Sequence, residues 1–492
     1  MITMKLLKKR FFQCFVFLTG LYLLLLIPDF SGTSNMVIAG QKPFTWNQDL
    51  LWKQLENNFI KAKQLDSATL DSTTNFLMLK ASASFFYAST NEIPPNDSSL
   101  SAIEDNFFSL APLIAVNKNQ LPWYIEHYNK LRNLVKYKSQ HWDMNKPAAR
   151  QSVYSLLYGM RAAVEEVLLQ NDSVNFSPAM LVKDEKSVTP STKIFGIEVH
   201  SGDMLVSRGG AEVSALISRG NDYPGNFSHV ALLYVEEKTN KAFLIEAHIE
   251  KGVAVSSVEQ YEKDKKLRFM VMRPRADLPE MINDPMLPQK AANMIYNEAL
   301  KRHIPYDFRM NFKDPKEMFC SEVASYAYRK NNLLFWQPVS TISSQGVVNW
   351  LHDFGVENFV TQMPSDLEYD PQLAVVAEWR DPETLFRDHI DNAVMDAMLE
   401  KANAGEKIDY NIWQLPFVRI IKGYCVVKNI FGGVGMIPEG MSATRALKNQ
   451  SFVAMHVRIK NKTKLLADDF IKQNHYRPPY WQLVKMAQTA AR

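Results

Sequence analysis

The stretch FSHVALLYVEEKTNKAFLIEAH, residues 227–248, contains two apolar runs, Val230 to Val235 and Ala242 to Ala247, on either side of a polar turn at Lys238, Thr239 and Asn240. Runs rich in Val, Leu, Ile, Tyr and Phe joined by turn formers predict a β-hairpin. In a hairpin centred near Lys238 and Thr239, His229 pairs with a residue near His248. The two-residue side-chain period keeps positions 229, 231, 246 and 248 on one face unless the register slips by one. An imidazole thus shares a face with Glu246 and a second imidazole.

Outward from the hairpin, Asp203 to Ser207 and Phe269 to Met272 have the same strand character. Helical periodicity marks Glu212 to Ser218, Pro288 to Arg302 and a segment beginning at about Cys320. Residues 193–379 therefore read as an α+β domain, a small antiparallel sheet with packed helices. Residues 172–192, rich in Ser, Thr, Asp and Lys, read as a linker. Before them, Trp46, Leu50, Leu51, Leu55, Phe59 and Ile60 recur at three- and four-residue steps, and similar spacing in 70–87, 103–115 and 148–169 predicts an α-helical domain over 44–171. Residues 380–492 read as a mixed C-terminal region. Its apolar stretch 420–437 carries Gly432, Gly433, Gly435 and internal lysines, which argue against a second membrane span; it is expected to bury against the α+β domain rather than form a lipid-facing or substrate-channel surface.

At the N-terminus, Lys5, Lys8, Lys9 and Arg10 precede an apolar run from Phe11 to Ile27. A basic flank before such a run predicts a signal anchor or a cleaved signal peptide within residues 1–35. The flank keeps its own end cytoplasmic. The expected location is the cell envelope, anchored in the inner membrane and facing the periplasm or exterior, or secreted to the periplasm if the signal is cut. The net charge of +4 is spread over 492 residues with no basic block interleaved with aromatics, which disfavours nucleic acid as a partner.

Cys14, Cys320 and Cys425 show no zinc-type spacing, and a free Cys320 is preferred over a Cys320–Cys425 bridge. The histidines show no H-x-x-x-H pair, and neither Gly209-Gly210 nor Gly432-Gly433 has the context of a phosphate loop, so no metal and no cofactor are expected. Apolar positions 319, 323, 326 and 327 share a helical face, which puts Cys320 at a helix start. There the helix favours a thiolate, and free amides can hold an oxyanion. The plain alternative is a small buried hydrophobe. His229, at a strand entrance after the turn-rich loop Asn221 to Asn226, can take the thiol proton and return it to a leaving group. Either Glu246 or His248 can fix its tautomer. Tyr306, in a loop after Pro305, either lines the cleft or packs.

The ordered set Gly202-Asp203-Met204-Leu205, Ser228-His229-Val230, Glu246-Ala247, Gly252-Val253, Pro305-Tyr306-Asp307 and Cys320-Ser321-Glu322-Val323 resembles the circularly permuted papain-like amidases of the YiiX/YaeF group, within the NlpC superfamily. The resemblance covers about residues 197–328. It departs from the family pattern at Ala231, where glycine is usual, and at Val323, where leucine is frequent. It implies Cys320 as nucleophile, His229 as base and Glu246 as orienting acid, with Tyr306, His248, Ser321 and Asp203 around the cleft. The implied chemistry is amide hydrolysis through a thioester, on cell-wall peptides or on N-acylated lipids and amino acids. Two alternatives stand beside it: transfer of the acyl group to an amine or alcohol, and a non-catalytic envelope scaffold whose helical domain binds a protein partner of unknown identity.

Overall fold

A computed structural model describes residues 2–29, 36, 49–171, 179–183, 185–336, 340–379 and 381–492. The expectations placed on Trp46, on residues 30–35 and on most of the linker's first half lie outside the described residues. Helix α1 (Ile2–Leu25) leads into α2 (Asp49–Ala62), α3 (Ser67–Thr90), α4 (Ser98–Val116), α5 (Leu121–Ser139), α6 (Pro147–Tyr154) and α7 (Met160–Leu169). Sequence fixes several of these starts. Asp66 accepts from the Thr69 amide at 2.9 Å, Asp97 accepts from the Ser99 amide at 2.8 Å, and Pro147 opens α6. The apolar faces meet around Phe107, Tyr124, Tyr128, Leu157 and Leu168.

The α+β domain comprises β1 (Ala179–Leu181), β2 (Ser191–Ile194), β3 (Ile197–His200), β4 (Met204–Gly209), α8 (Glu212–Arg219), β5 (His229–Val235), β6 (Ala242–His248), β7 (Gly252–Ser257), α9 (Val258–Lys263), β8 (Lys266–Pro274), α10 (Pro279–Asn283), α11 (Leu287–Lys301), α12 (Cys320–Arg329), β9 (Ser340–Thr341), α13 (Gln345–Phe354), β10 (Val360–Thr361), α14 (Asp366–Tyr369) and β11 (Leu373–Trp379). Seven strands form one sheet in the order β1-β11-β8-β4-β5-β6-β7, with every pairing antiparallel. Residues 179–181, expected as linker, instead extend this sheet by pairing with β11. One sheet face, including Val230, Leu232 and Ile245, packs with Ile295 of α11 and with Val323 and Ala327 of α12. That contact carries the N-terminus of α12 to the start of β5.

The C-terminal residues are helical rather than mixed: α15 (Pro382–Asn403), α16 (Leu415–Ile430), α17 (Ala443–Asn474) and α18 (Tyr480–Ala491). The stretch 420–437, expected to bury, is largely exposed: within α16 only Leu415, Pro416 and Cys425 are buried. Apolar residues occur all around this helix, so packing one side leaves the others outward. Among the described residues no helix is long and apolar enough to cross a membrane, so the structure does not support the span expected near residues 11–27.

Buried ion pairs join the helical domain to the sheet and its flanking helices. Arg161 donates to both carboxylate oxygens of Glu368 at 2.9 Å and to Asn226 at 3.2 Å; Arg132 pairs with Glu378 at 2.9 Å and Arg150 with Asp366 at 3.1 Å. Arg268 links Glu165 of α7 to Asp388 of α15. Removing one partner of such a pair strands a buried charge, which costs more than the pair contributes. Arg161→Ala is therefore expected to destabilise the fold by about 3–5 kcal/mol in urea unfolding.

Candidate active site

The site begins with the hairpin register. Ala231 lies opposite Glu246, which puts His229 opposite His248 and all four positions on one face. His229 Nε2 and Glu246 Oε2 are 2.8 Å apart. The other carboxylate oxygen of Glu246 accepts from Ser256 Oγ at 2.7 Å and lies 3.6 Å from His248 Nε2. Ser256 comes from β7, on the diagonal from Glu246 across the strand pair.

The Cys320 thiol lies beside the same imidazole, close enough to shift its titration. Cys320 is the first residue of α12; Phe319 before it is extended and supplies no side-chain cap. The first-turn amides of α12 thus have no side-chain acceptor at the N-cap, and they gather where the sulfur sits. Sγ is also 3.7 Å from the Ser228 carbonyl oxygen. All three cysteines are free, so no bridge competes for this sulfur.

The charges are coupled. Burial, incomplete at 23% side-chain exposure, works against a cation at His229. Hydrogen bonds to Cys320 and Glu246, together with their negative charges, outweigh it and raise the imidazole pKa to about 10. For Glu246, burial alone would raise the pKa, but the bonds from His229 and His248 hold the carboxyl well below the usual carboxylate range. At neutral pH His229 is therefore an imidazolium beside the Glu246 carboxylate and the Cys320 sulfur. Glu322, two residues along α12, has the opposite character. Burial and the nearby Asp307 charge raise its pKa to about 9, and neither carboxyl oxygen has a hydrogen-bond partner. As a neutral acid at pH 7 it adds no negative charge beside Cys320. Its burial has no signal in the sequence beyond its place in the cysteine motif.

Tyr306 closes one side. Burial and the charge of Cys320 push its phenol well up, as expected of a hydroxyl near the sulfur. Its loop is tied to the chain just before the cysteine: Met318 N–H donates to Pro305 at 3.0 Å and Asp307 N–H to Met318 at 3.3 Å. The same loop accepts from the Val253 amide through Ile304 at 2.8 Å. Beside that bond Gly252 has φ +72°, and a Cβ there would lie 2.0 Å from the Ile304 carbonyl oxygen. Gly252→Ala should therefore displace the Tyr306 loop and lower stability by about 1–3 kcal/mol, read by thermal unfolding.

Two residues expected around the cleft lie elsewhere. Asp203 stands at the other end of β4 from the Ser207–His229 pair and is buried in a two-bond ion pair with Arg273, at 2.8 and 2.7 Å. Its role there is to hold β4 against β8. Ser321 follows Cys320, but its hydroxyl donates to the Gln362 carbonyl at 2.8 Å and is fully buried. His248 stays beside Glu246, its ring centroid 5.5 Å from that of His229.

His229, Glu246 and His248 also bring ligand-type atoms within 4.8 Å of one another and could hold a metal ion. A cavity of about 490 Å³ lies between the helical domain and the C-terminal helices, lined by residues such as Trp52, Phe59, Glu166, His389 and Trp481. It shares no residue with the Cys320 cluster. Volume and chemistry point to different places, and titratable groups with opposed pKa shifts around a thiol are the stronger mark of a candidate reacting centre.

Residues 198–377 match the family model of the permuted papain-like amidase enzyme, YaeF/YiiX, C92 family. That segment runs from β3 to β11 and contains Cys320, His229 and Glu246; the N-terminal helical domain and α15 to α18 lie outside it. The α+β domain is thus of the permuted papain-like kind, and the family points to a cysteine amidase or peptidase activity. No curated protein matches the chain.

Proposed function

We propose that this protein is a cysteine hydrolase that cleaves an amide through a thioester, with Cys320 as nucleophile, His229 as proton carrier and Glu246 as the group that orients it. One observation carries the reading: the His229 ring is held by Glu246 at 2.8 Å and interacts with the thiol of Cys320, the first residue of α12. The Cys320 thiolate attacks the amide carbonyl carbon, and the oxyanion so formed faces the first-turn amides of α12. As the C–N bond breaks, the His229 imidazolium gives its proton to the departing amine, leaving a thioester. Water then attacks the thioester carbonyl while neutral His229 takes its proton. Collapse releases the carboxylic acid and restores the thiolate–imidazolium pair. Glu246 stays ionised throughout and stabilises the ring in its charged form.

The reading predicts rapid alkylation. At pH 7, iodoacetamide should modify Cys320 at least about tenfold faster than an unperturbed thiol, since at that pH only a few per cent of an ordinary thiol is ionised. A rate equal to that of free cysteine, measured by mass spectrometry of the Cys320 peptide, would remove the activated nucleophile from the account. Incubation with cell-envelope extract, followed by the mass of the Cys320 adduct, identifies the acyl group. Offering amines or alcohols to the trapped thioester separates acyl transfer from hydrolysis. The basic flank and apolar run of residues 5–27 support a membrane-tethered, envelope location, where both cell-wall peptides and acylated amphiphiles are at hand.

The His229, Glu246 and His248 cluster favours one further reading, a metal-dependent hydrolase. A chelator decides between the two: thiol chemistry survives exhaustive chelation and is lost on alkylation, and a metal enzyme shows the reverse.

A further inference from the structure

Outside the family match, α16 and the loop after it expose Phe417 (62%), Ile420 (65%), Tyr424 (64%), Ile430 (75%), Phe431 (85%) and Met436 (80%). Contiguous large apolar side chains of this kind mark a surface that meets something other than water. The charge of the helix says what it meets. In its 16 residues α16 carries Arg419, Lys422 and Lys428 and no carboxylate. Apolar residues with cations alone are the composition of a helix that lies in the interface of an anionic bilayer. Arg419 is paired with Asp29, so Lys422 and Lys428 set the charge of this face, and a second copy would bring those two cations against their like.

Position gives the same answer. The end of α1 lies against α16: the Tyr22 ring is 6.4 Å from Phe417, the Tyr22 hydroxyl donates to the Trp413 carbonyl at 3.0 Å, and Arg419 pairs with Asp29 at 2.8 Å. Helix α1 itself exposes Phe11, Phe15, Phe17 and Leu24, so exposed apolar side chains stand on both of these neighbouring helices. The loop after α16 also backs the active-site wall. Gly440 approaches Phe308 so closely that a Cβ there would lie 2.6 Å from the ring; Phe308 is edge-on to Tyr306 at 5.1 Å, and Glu439 lies 2.9 Å from His303.

We propose that α16 and residues 431–436 rest in the interface of an anionic lipid bilayer beside α1 and hold the Cys320 cleft at that surface, so that the amide cleaved belongs to an acyl-bearing amphiphile. The substrate half of this inference rests on the thiol-hydrolase reading; the docking half does not. Docking is read without turnover by hydrogen exchange on the full chain carrying Cys320→Ala, with and without vesicles. Vesicles containing phosphatidylglycerol should slow exchange across 417–436 by about tenfold or more, pure phosphatidylcholine should slow it less, and the doubly substituted chain Ile430→Asp, Phe431→Asp should lose the slowing. Both of those positions are exposed, so the fold tolerates the change, and circular dichroism checks it. Protection confined to α1 would overturn the docking claim. So would protection of 417–436 that needs no lipid and rises with protein concentration, since a second copy would then cover the face. For the substrate half, the Asp pair in an otherwise unaltered chain should lower kcat/KM on a vesicle-embedded N-acyl amide by about tenfold while leaving a short soluble acyl amide unaffected. Equal losses on both overturn it. If the unaltered chain cleaves neither amide, the hydrolase reading fails while the docking result stands.

Discussion

Replacing Cys320 by Ala lowers kcat/KM for amide cleavage by about 10⁴-fold or more and leaves the thermal unfolding midpoint nearly unchanged. The size of the effect follows from the absence of a substitute near His229. Cys14 lies exposed on α1, and Cys425 is buried against Gly435 in a separate cluster with Ile437 and Met441. Ser321, the adjacent hydroxyl, is committed to the Gln362 carbonyl and fully buried. The side chain removed is small and differs from alanine by one sulfur atom, so the protein should still fold. His229→Ala made in the Cys320→Ala background should cost almost nothing further, because the two act as one unit. A Cys320→Ala enzyme that keeps more than about a tenth of the activity contradicts nucleophilic catalysis at this sulfur, for truncating a covalent nucleophile leaves only binding and oxyanion stabilisation.

The parts of the site that were legible are those set by local periodicity. The hairpin between β5 and β6 is written in two apolar runs with a polar turn, and strand alternation then fixes which side chains share a face with His229. Cys320 at a helix start is equally local, read from four apolar positions on one side of α12. What was hidden depends on partners far along the chain. Arg161 meets Glu368 across 207 residues and Arg132 meets Glu378 across 246, and neither separation leaves a pattern. Asp203 sits within a motif next to glycine, yet its carboxylate answers to Arg273 on β8, which only the sheet order brings beside it. Ser256 escaped notice because β7 ends in two serines with no alternation to assign a face. Exposure of α16 was illegible for a different reason. An apolar run reads the same whether it ends in the protein core or on the surface, and nothing local in 420–437 separates the two.

Changing Glu246 to Gln should reduce kcat by about 10²–10⁴-fold and move the alkaline limb of the pH–rate profile downward. The sign follows from the imidazole. Its pKa is raised to about 10 by hydrogen bonds and charges from Cys320 and Glu246, so the imidazolium that protonates the leaving amine persists until the pH approaches 10. Glutamine keeps the size of the side chain but removes one negative charge and presents an amide in place of a pure acceptor. The cation is then stabilised from one side only, its pKa falls toward the ordinary value of 6.5, and the proton donor is lost at lower pH. A mere loss of packing would lower kcat without moving the limb, so the shift, not the rate, is the decisive reading. His248→Ala supplies the comparison. Its imidazole is 3.6 Å from the Glu246 carboxylate and meets His229 only ring to ring, at 5.5 Å, so its removal should cost less than about tenfold and shift the limb little. A larger effect from His248 than from Glu246 would reassign the orienting role to the second imidazole, and with it the direction in which the proton of His229 is held.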